Sequence, residues 1–409
     1  FSLGSAADRR RRTLARLGRR WQTGAMVGGP GVYLSSAEPA AVARAAEAAA
    51  GGSEDMVAVM VAEGGAPDLP AMVEALRATK VSFFGGLFPS LIDGASKRDA
   101  GALLFTLPKL TEPMLVRGLD TARFAVPDAL PFVQWHRGSK PTALLLVDGL
   151  SPNISHFLRS VYHQLGNRVS YWGGGAGSLT MQPRPCVFTR EGVHQGAAII
   201  ALSSLPSRLG VRHGWRELKG PFVATRSDRN AIIQLNWRNA FDVYRGTVEA
   251  DAGVTITPEN FFRVASGYPF GIRKEGQEVL VRDPVAVGAG GSLICVGDVP
   301  ENAALSILKG EARLLVSAAG QAAREALLDG EVQPARPVRH CLLADCVSRS
   351  LFLGDSFSEE LDEIVDGLGG GAQGCHPVGM LTLGEISSHG EGYLEFFNKT
   401  SVVAVVHEP

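Results

Sequence analysis

The sequence predicts an α/β protein with α+β-like mixed sheets, a layered α/β sandwich built from repeated strand-helix-strand-strand units. Two observations predict this class. Of the 409 residues, 45% are hydrophobic, which is enough to bury a large core. One supersecondary pattern also occurs three times along the chain. A strand-helix-strand unit with a short returning strand combines a parallel crossover with an antiparallel partner, so the repeats imply mixed sheets with helices on their outer faces.

The first two copies of this pattern share a sequence signature. Their second strands read VSFFGG from Val81 and VSYWGG from Val169, and both reach consecutive glycines. The third copy is looser. In each copy the strand, helix, second strand and returning strand are predicted, in order, at 56–62, 68–80, 81–88 and 101–107; at 143–147, 152–165, 169–177 and 196–202; and at 342–345, 357–368, 378–385 and 393–406.

Turn-rich sequence predicts the domain organisation. SSLPSRLG lies between Leu202 and Phe222, where the second repeat gives way to a β-rich section. We therefore expect a first domain over 25–222 and a second over 223–409. Residues 1–24 form a separate basic segment.

Charge and cysteine content exclude several classes of protein. The formal net charge is -1, so no long-range field draws nucleic acid or a membrane to the molecule. No apolar run reaches the roughly 18 to 20 residues that cross a bilayer. The five cysteines are scattered and contain no CxxC pair, so we expect no disulfide framework and a reducing compartment.

The basic segment 1–24 allows three interpretations. It holds seven arginines and one acid, which leaves 33 basic and 40 acidic residues, a formal charge of -7, for the remainder. An Arg-rich, acid-poor start is typical of a processed targeting peptide. That interpretation predicts an organelle, with the plastid stroma favoured over the mitochondrion. The alternatives are a trimmed or tagged protein of the bacterial cytoplasm and an arm that docks on an anionic surface.

Several ordered stretches resemble one known family, the FIST proteins, named for F-box and intracellular signal transduction. The similarity spans about residues 25–406, with 25–222 resembling FIST N and 223–409 resembling FIST C. The stretches that carry it are GGGAGSL from Gly173, PCVFTREGVHQGAAIIAL from Pro185, the junction VRHGWRELKGPFVATRSDRNAIIQLNWRNAFDVY from Val211, FFRVASGYPFGI from Phe261, VRDPV from Val281, GMLTLGEI from Gly379 and FFNKTSVV from Phe396.

The resemblance implies a non-enzymatic sensory or signalling module that binds a small anionic or amino-acid-like molecule. No kinase, methyl-acceptor or F-box sequence is attached, so its output would pass through a separate protein partner. Two alternatives stay open: a structural or assembly subunit of a larger plastid or mitochondrial complex, and a haem-based nitric oxide sensor. An enzyme ranks last, because no motif supplies a nucleophile, a base and an oxyanion donor together.

Two groups of residues are candidates for ligand binding. The amides of Gly173, Gly174 and Gly175 with the hydroxyl of Ser178 suit a carboxylate, although close backbone packing explains the same glycines. In the second half, the candidate roles are a carboxylate clamp at Arg282, an apolar wall at Tyr268 and Phe270, and an amine acceptor at Glu385. An internal pair of Arg282 with Glu385 or Asp283 is the alternative.

Histidines supply the candidates for a cofactor ligand. His156, His163, His194 and His213 are each capable of holding a haem iron, and the first two are seven residues apart on one predicted helix. A solvated helix face gives the same spacing. The separation of Cys186, His194 and His213 matches no metal signature, so we predict no metal and no cofactor, with haem as the alternative.

Overall fold

The computed structural model describes residues 31–121, 123–127, 140–273, 279–327, 337–370, 375–388 and 393–408. The basic segment 1–24 lies outside these ranges, so its targeting and docking roles remain predictions. Within the ranges, no helix is both long and apolar enough to cross a membrane.

The mixed α/β class is confirmed, and the three predicted repeats are present. In each, the first strand pairs parallel with the second and antiparallel with the returning strand. The repeats consist of β2 (Asp55–Ala62), α2 (Leu69–Ala78), β3 (Ser82–Phe88) and β6 (Ala102–Pro108); β8 (Pro141–Asp148), α3 (Ile154–Leu165), β9 (Ser170–Ala176) and β12 (Ala197–Arg212); and β21 (Val338–Cys346), α8 (Phe357–Gly367), β22 (Pro377–Thr382) and β25 (Ser401–His407).

The repeats exchange hairpins in a closed cycle. Between its second and returning strands, each repeat forms a hairpin that pairs antiparallel with the second strand of another repeat. The hairpin of the first repeat pairs with the second strand of the third repeat. The hairpin of the third repeat pairs with the second strand of the second repeat, and the hairpin of the second repeat pairs with the second strand of the first repeat. These hairpins are β4–β5 (Ser90–Asp93 and Ser96–Arg98), β10–β11 (Val187–Thr189 and Gly192–His194) and β23–β24 (Glu385–Ser388 and Leu394–Phe397).

One glycine in each second strand permits this arrangement. Gly85, Gly173 and Gly379 occupy equivalent positions, each three residues before the last pair of its parallel ladder. A Cβ atom there would lie 2.0, 1.8 and 1.8 Å from a backbone carbonyl oxygen of the first strand. Backbone therefore approaches backbone where no side chain fits. The carbonyls belong to Val59, Leu145 and Leu343, and the hairpin residues on the other side are Phe188, Ile386 and Ile92.

The returning strand β12 joins the second and third repeats into one eleven-stranded sheet. Its first half pairs with β8 and its second half, Ser207–Arg212, pairs with β25. This sheet therefore contains residues from both sides of the predicted boundary at 222, and the division into two domains stays a prediction. Strands β1 (Val32–Leu34) and β7 (Met114–Arg117) add to the returning strands of the first and second repeats.

A third, eight-stranded sheet occupies the middle of the chain. Helix α4 (Ala240–Ala252) packs against it through Val243, Tyr244 and Val248, which share a core with the strands. The elements of this region are β13 (Arg216–Asp228), β14 (Ala231–Leu235), β15 (Arg238–Asn239), α4 (Ala240–Ala252), α5 (Phe261–Ala265), β16 (Phe270–Ile272), β17 (Leu280–Arg282), β18 (Pro284–Val287), β19 (Leu293–Cys295) and β20 (Ala304–Lys309).

Helices begin at the residues that local chemistry favours. Asp68 caps α2 by accepting a hydrogen bond from the amide of Ala71 at 3.0 Å, and Pro70 lies in the first turn. Helix α3 buries Phe157 and Val161 against its sheet. The remaining helices are α1 (Pro39–Ala49), α6 (Ala312–Leu327) and α7 (Val347–Leu353).

One disulfide was not expected from the sequence. Cys341 on β21 bonds to Cys375, with 6.1 Å between their Cα atoms. The two are 34 residues apart along the chain, and the parallel pairing of Cys341 with Pro377 brings them together. The expectation that the cysteines form no disulfide framework is therefore wrong for this pair, because the contact depends on strand pairing that spacing does not reveal.

The glycine contact gives a first prediction. We expect Gly379→Ala to lower the free energy of unfolding by about 3 kcal/mol, because the new methyl group overlaps the carbonyl oxygen of Leu343. The matched control is Gly246→Ala on an exposed face of α4, where no atom lies within 4 Å of the added carbon. That change is expected to stabilise by about 0.5–1 kcal/mol. Urea unfolding of both variants measures the difference, and equal effects would contradict the packing argument.

Candidate functional site

A cleft of about 640 Å³ lies between helix α3 and the third sheet. Strand β24 borders it as well, so elements from distant parts of the chain meet there. Most of its lining is apolar and includes Leu158, Ile272 and Leu280. The size and the largely apolar walls are typical of small-molecule sites. We refer to it below as the α3 cleft.

Arg282 lines the α3 cleft and is only 4% exposed. Its Nε donates to the carbonyl of Asp298 at 2.8 Å, and its Nη1 donates to the carbonyls of Val281 and Phe396, both at 3.0 Å. Among the described residues, no carboxylate lies within salt-bridge distance of this guanidinium. Burial lowers the pKa of Arg282, while Glu395 and Asp298 act in the opposite direction. The cleft therefore contains a buried positive charge that backbone dipoles solvate and that forms no ion pair with any residue in the described ranges.

Charged and aromatic groups surround the rest of the α3 cleft. Arg159 and His163 are exposed on α3, and the acidic residues Asp298 and Glu395 also line the cleft. The rings of Tyr162 and Tyr393 meet edge to face, with centroids 5.3 Å apart. The cleft thus combines basic and acidic residues with apolar walls. This arrangement suits an anionic or zwitterionic ligand that also has an apolar part.

The other predicted wall residues do not line the α3 cleft. Phe270 is paired in register with Arg282 but is fully buried, with its ring 5.3 Å from that of Tyr244. The hydroxyl of Tyr268 donates to Asp251 at 2.7 Å, and burial together with Asp251 raises the pKa of Tyr268 to about 12. The structure therefore brings Arg282 to the cleft without Tyr268 and Phe270, whose ligand-binding role stays a prediction.

The glycine-rich segment holds a carboxylate of the protein itself. Gly173, Gly174 and Gly175 lie in β9, and the amide of Gly175 donates to Gly384 at 2.8 Å, so it is already committed to strand pairing. The hydroxyl of Ser178 donates to Glu63, whose other oxygen accepts from the amide of Leu179 at 3.0 Å. Glu63 thus occupies the place that the predicted ligand carboxylate would take. The close packing of these glycines against neighbouring strands fits the alternative explanation, in which glycine is needed because two backbones lie close together.

Glu385 belongs to a buried polar network rather than to the α3 cleft. It is fully buried, and its carboxylate accepts from the hydroxyl of Thr382 at 2.7 Å and the amide of Thr400 at 3.3 Å. Burial raises the pKa of Glu385 to about 8. It forms no ion pair with Arg282, and neither does Asp283, which binds Lys399 at 3.2 Å instead. The alternative of an internal pair with Arg282 is therefore wrong for both acids.

Arg349 is a buried cation of this network, and no sequence motif indicates its role. It is fully buried, and its Nε and Nη2 bind the carboxylate of Glu360 at 2.8 and 2.6 Å. Burial acts to lower the pKa of Arg349, but Glu360 and Asp345 outweigh it and raise the pKa. Burial and Glu360 raise the pKa of Asp345. Only the pairing of β21 with its neighbours and the packing of α8 bring these groups together.

The four candidate histidines lie in different surroundings. His163 lines the α3 cleft, whereas the ring of His156 is tilted against that of Phe124, with 4.9 Å between their centroids, and does not line the cleft. Burial lowers the pKa of His194. The Nδ1 of His213 accepts from the amide of Trp215 at 2.9 Å, and burial lowers the pKa of His213 to about 3. No cluster of three metal-binding side chains occurs in the described ranges. Haem ligation stays a prediction, with His163 the candidate at the cleft.

The buried carboxyl of Glu385 gives a second prediction. Its pKa is about 8 in the folded protein against an ordinary value of 4.5, so the folded state holds a proton that the unfolded chain releases between these pH values. Its stabilising contribution is complete below pH 4.5 and is lost as the pH rises through 8. We expect the free energy of unfolding of the wild type, relative to Glu385→Gln, to fall from pH 5 to pH 8.

Denaturant titrations across that pH range measure this difference. The matched control is Glu359→Gln, which makes the same substitution on the exposed face of α8. A difference for Glu385→Gln that does not change with pH would mean that its carboxyl is ionised throughout.

Comparison with known protein families accounts for most of the chain. The model of the FIST N domain matches residues 93–238, and that of the FIST C domain matches residues 240–388. FIST domains are associated with signal transduction and with the sensing of small ligands. A comparison with curated proteins finds no match. Helix α3 lies within the first matched region, and strands β16 and β17 lie within the second. Because the two domains occur in order and together span more than two thirds of the sequence, the chain belongs to the FIST family.

Proposed function

We propose that this chain is a non-enzymatic sensory module that binds a small anionic or amino-acid-like ligand in the α3 cleft and acts through a separate protein partner. One observation carries the proposal. The guanidinium of Arg282 is buried at an apolar cleft and has no carboxylate partner among the described residues. A ligand carboxylate would bind this guanidinium directly through charge-assisted hydrogen bonds.

The remaining cleft residues restrict the ligand further. Asp298 supplies a carboxylate on the same cleft, which suits an amine on the ligand. Leu158, Ile272 and Leu280 offer apolar contact to the ligand's body. A molecule that carries a carboxylate, an amine and an apolar side chain satisfies all three kinds of group at once, so an apolar amino acid is the preferred ligand class.

The position of the α3 cleft supports a sensing role. Its walls come from α3 in the FIST N region and from β16 and β17 in the FIST C region. A ligand that contacts both walls stabilises the arrangement in which they are close, and this shifts the population toward that arrangement. Arg282 is followed directly by Asp283, which binds Lys399 in the buried network. A displacement of β17 would therefore reach the core of the third repeat.

A haem-bound form is the second candidate, because His163 places one imidazole at the α3 cleft. Haem would require that imidazole as an axial ligand. A Soret band that appears on adding haemin and disappears in His163→Ala would favour this form over the amino-acid sensor.

Calorimetric titration with amino acids tests the proposed function. We expect apolar amino acids to bind, the corresponding amines without a carboxylate to show no binding, and Ser155→Trp to weaken binding at least tenfold, because the indole would fill the cleft. The matched control is Ser160→Trp on the same helix, whose side chain does not line the cleft. Arg159→Ala should weaken binding by about twofold to fivefold, as expected for an exposed charge.

Two results of these titrations would contradict the proposed function. If no carboxylate-bearing molecule binds, or if Ser155→Trp and Ser160→Trp bind equally well, the α3 cleft is not the ligand site.

A further inference from the structure

Trp237 is the most exposed large apolar side chain in the described part of the protein. Its exposure is 78%, although it lies in the hairpin that joins the FIST N and FIST C regions. Among the described residues, the indole makes no hydrogen bond, no aromatic ring contact and no cation–π contact. Folding therefore leaves almost all of this side chain in water.

The backbone at Trp237 is also unfavourable for tryptophan. Leu235 pairs with Arg238, so Asn236 and Trp237 form a two-residue loop between β14 and β15. Their φ angles are +50° and +61°. This is a type I′ turn, in which asparagine followed by glycine is strongly preferred. A tryptophan at the glycine position has a strained backbone and buries nothing, so neither local nor tertiary stability explains it.

The turn is held rigid by groups other than the indole. The amide of Val223 donates to the side chain of Asn236 at 2.8 Å, and the amide of Trp237 donates to the hydroxyl of Thr225 at 2.8 Å. The amide of Asn236 also donates to the carbonyl of Val223 at 2.9 Å. These bonds fix the loop to β13. The indole is consequently presented from a backbone with little freedom, which reduces the entropy lost on binding.

We infer that Trp237 anchors a docking surface for a separate folded protein. Tryptophan and arginine are the residues that contribute most to binding at protein interfaces. Arg238 follows Trp237, is exposed, and has no acidic partner within salt-bridge distance in the described ranges. The complementary partner surface is an apolar pocket for the indole, bordered by carboxylates for Arg238. This surface gives the proposed sensor its route to a partner, and it does not depend on the α3 cleft.

Stability provides the first test. We expect Trp237→Gly to raise the melting temperature by roughly 2–4 °C, because glycine relieves the strained turn and no contact is lost. The control is Val254→Ala, which shortens another exposed apolar side chain and is expected to leave the melting temperature unchanged. A lower melting temperature for Trp237→Gly would show that the indole stabilises the fold, and would overturn the inference.

Crosslinking provides the second test. A photoreactive phenylalanine analogue replaces residue 237 of the full chain, and in a parallel sample it replaces residue 254. Both proteins are irradiated inside the cells that produce them. We expect one protein adduct at 237 and none at 254. The crosslinked protein, once identified and purified, should bind Trp237→Gly at least roughly thirtyfold more weakly than the wild type, and Arg238→Glu should also weaken binding. Val254→Ala should bind within about twofold of the wild type.

Several outcomes would overturn the inference. They are no adduct at 237, equal adducts at both positions, an adduct with nucleic acid or with a second copy of this chain, and unchanged affinity of Trp237→Gly. Amino-acid binding is measured on the same variant. If Trp237→Gly binds amino acids normally but loses the partner, the two sites are separate, whereas absent amino-acid binding in the wild type bears only on the proposed function.

Discussion

The close approach of the first two strands in each repeat is the constraint on which the rest of the structure depends. At Gly85, Gly173 and Gly379, any side chain would overlap the carbonyl oxygen of the neighbouring strand. The same glycines face the hairpin that another repeat contributes. Each sheet is therefore completed by a segment from a different repeat. Because the exchange is cyclic, no repeat can form its full sheet alone, and folding must bring all three together.

Closing this cycle places ionisable side chains inside the third repeat. Strand β23 brings Glu385 beneath the turn that contains Lys399 and Thr400, and the packing of α8 supplies Glu360. Arg349 compensates the buried carboxylate of Glu360, while burial favours the protonated, neutral form of Glu385. The buried network is therefore a consequence of the topology. Removing one partner would leave an uncompensated charge, which costs more than the pair contributes.

The α3 cleft follows from the same exchange. Strand β24 is the outer strand of the third repeat's hairpin, yet it lies on the sheet of the second repeat and next to α3. Its carbonyl at Phe396 accepts a hydrogen bond from Arg282, which comes from the third sheet. Three separate units thus meet at one buried guanidinium. A small ligand bound at this point, as proposed, would contact all three units, so its binding energy would depend on how they are arranged.

The sequence by itself determined the repeats and the family, and it singled out Arg282 as a candidate binding residue. Apolar runs, capping residues and the shared glycine signature are local features, and local periodicity is set by neighbouring residues. Only the tertiary structure decided which hairpin completes which sheet, that Glu63 fills the carboxylate position at Ser178, and that Cys341 and Cys375 meet. Each of these contacts joins residues far apart in the chain. Their spacing carries no signal of the contact, because strand pairing within and between repeats, and not chain distance, brings them together.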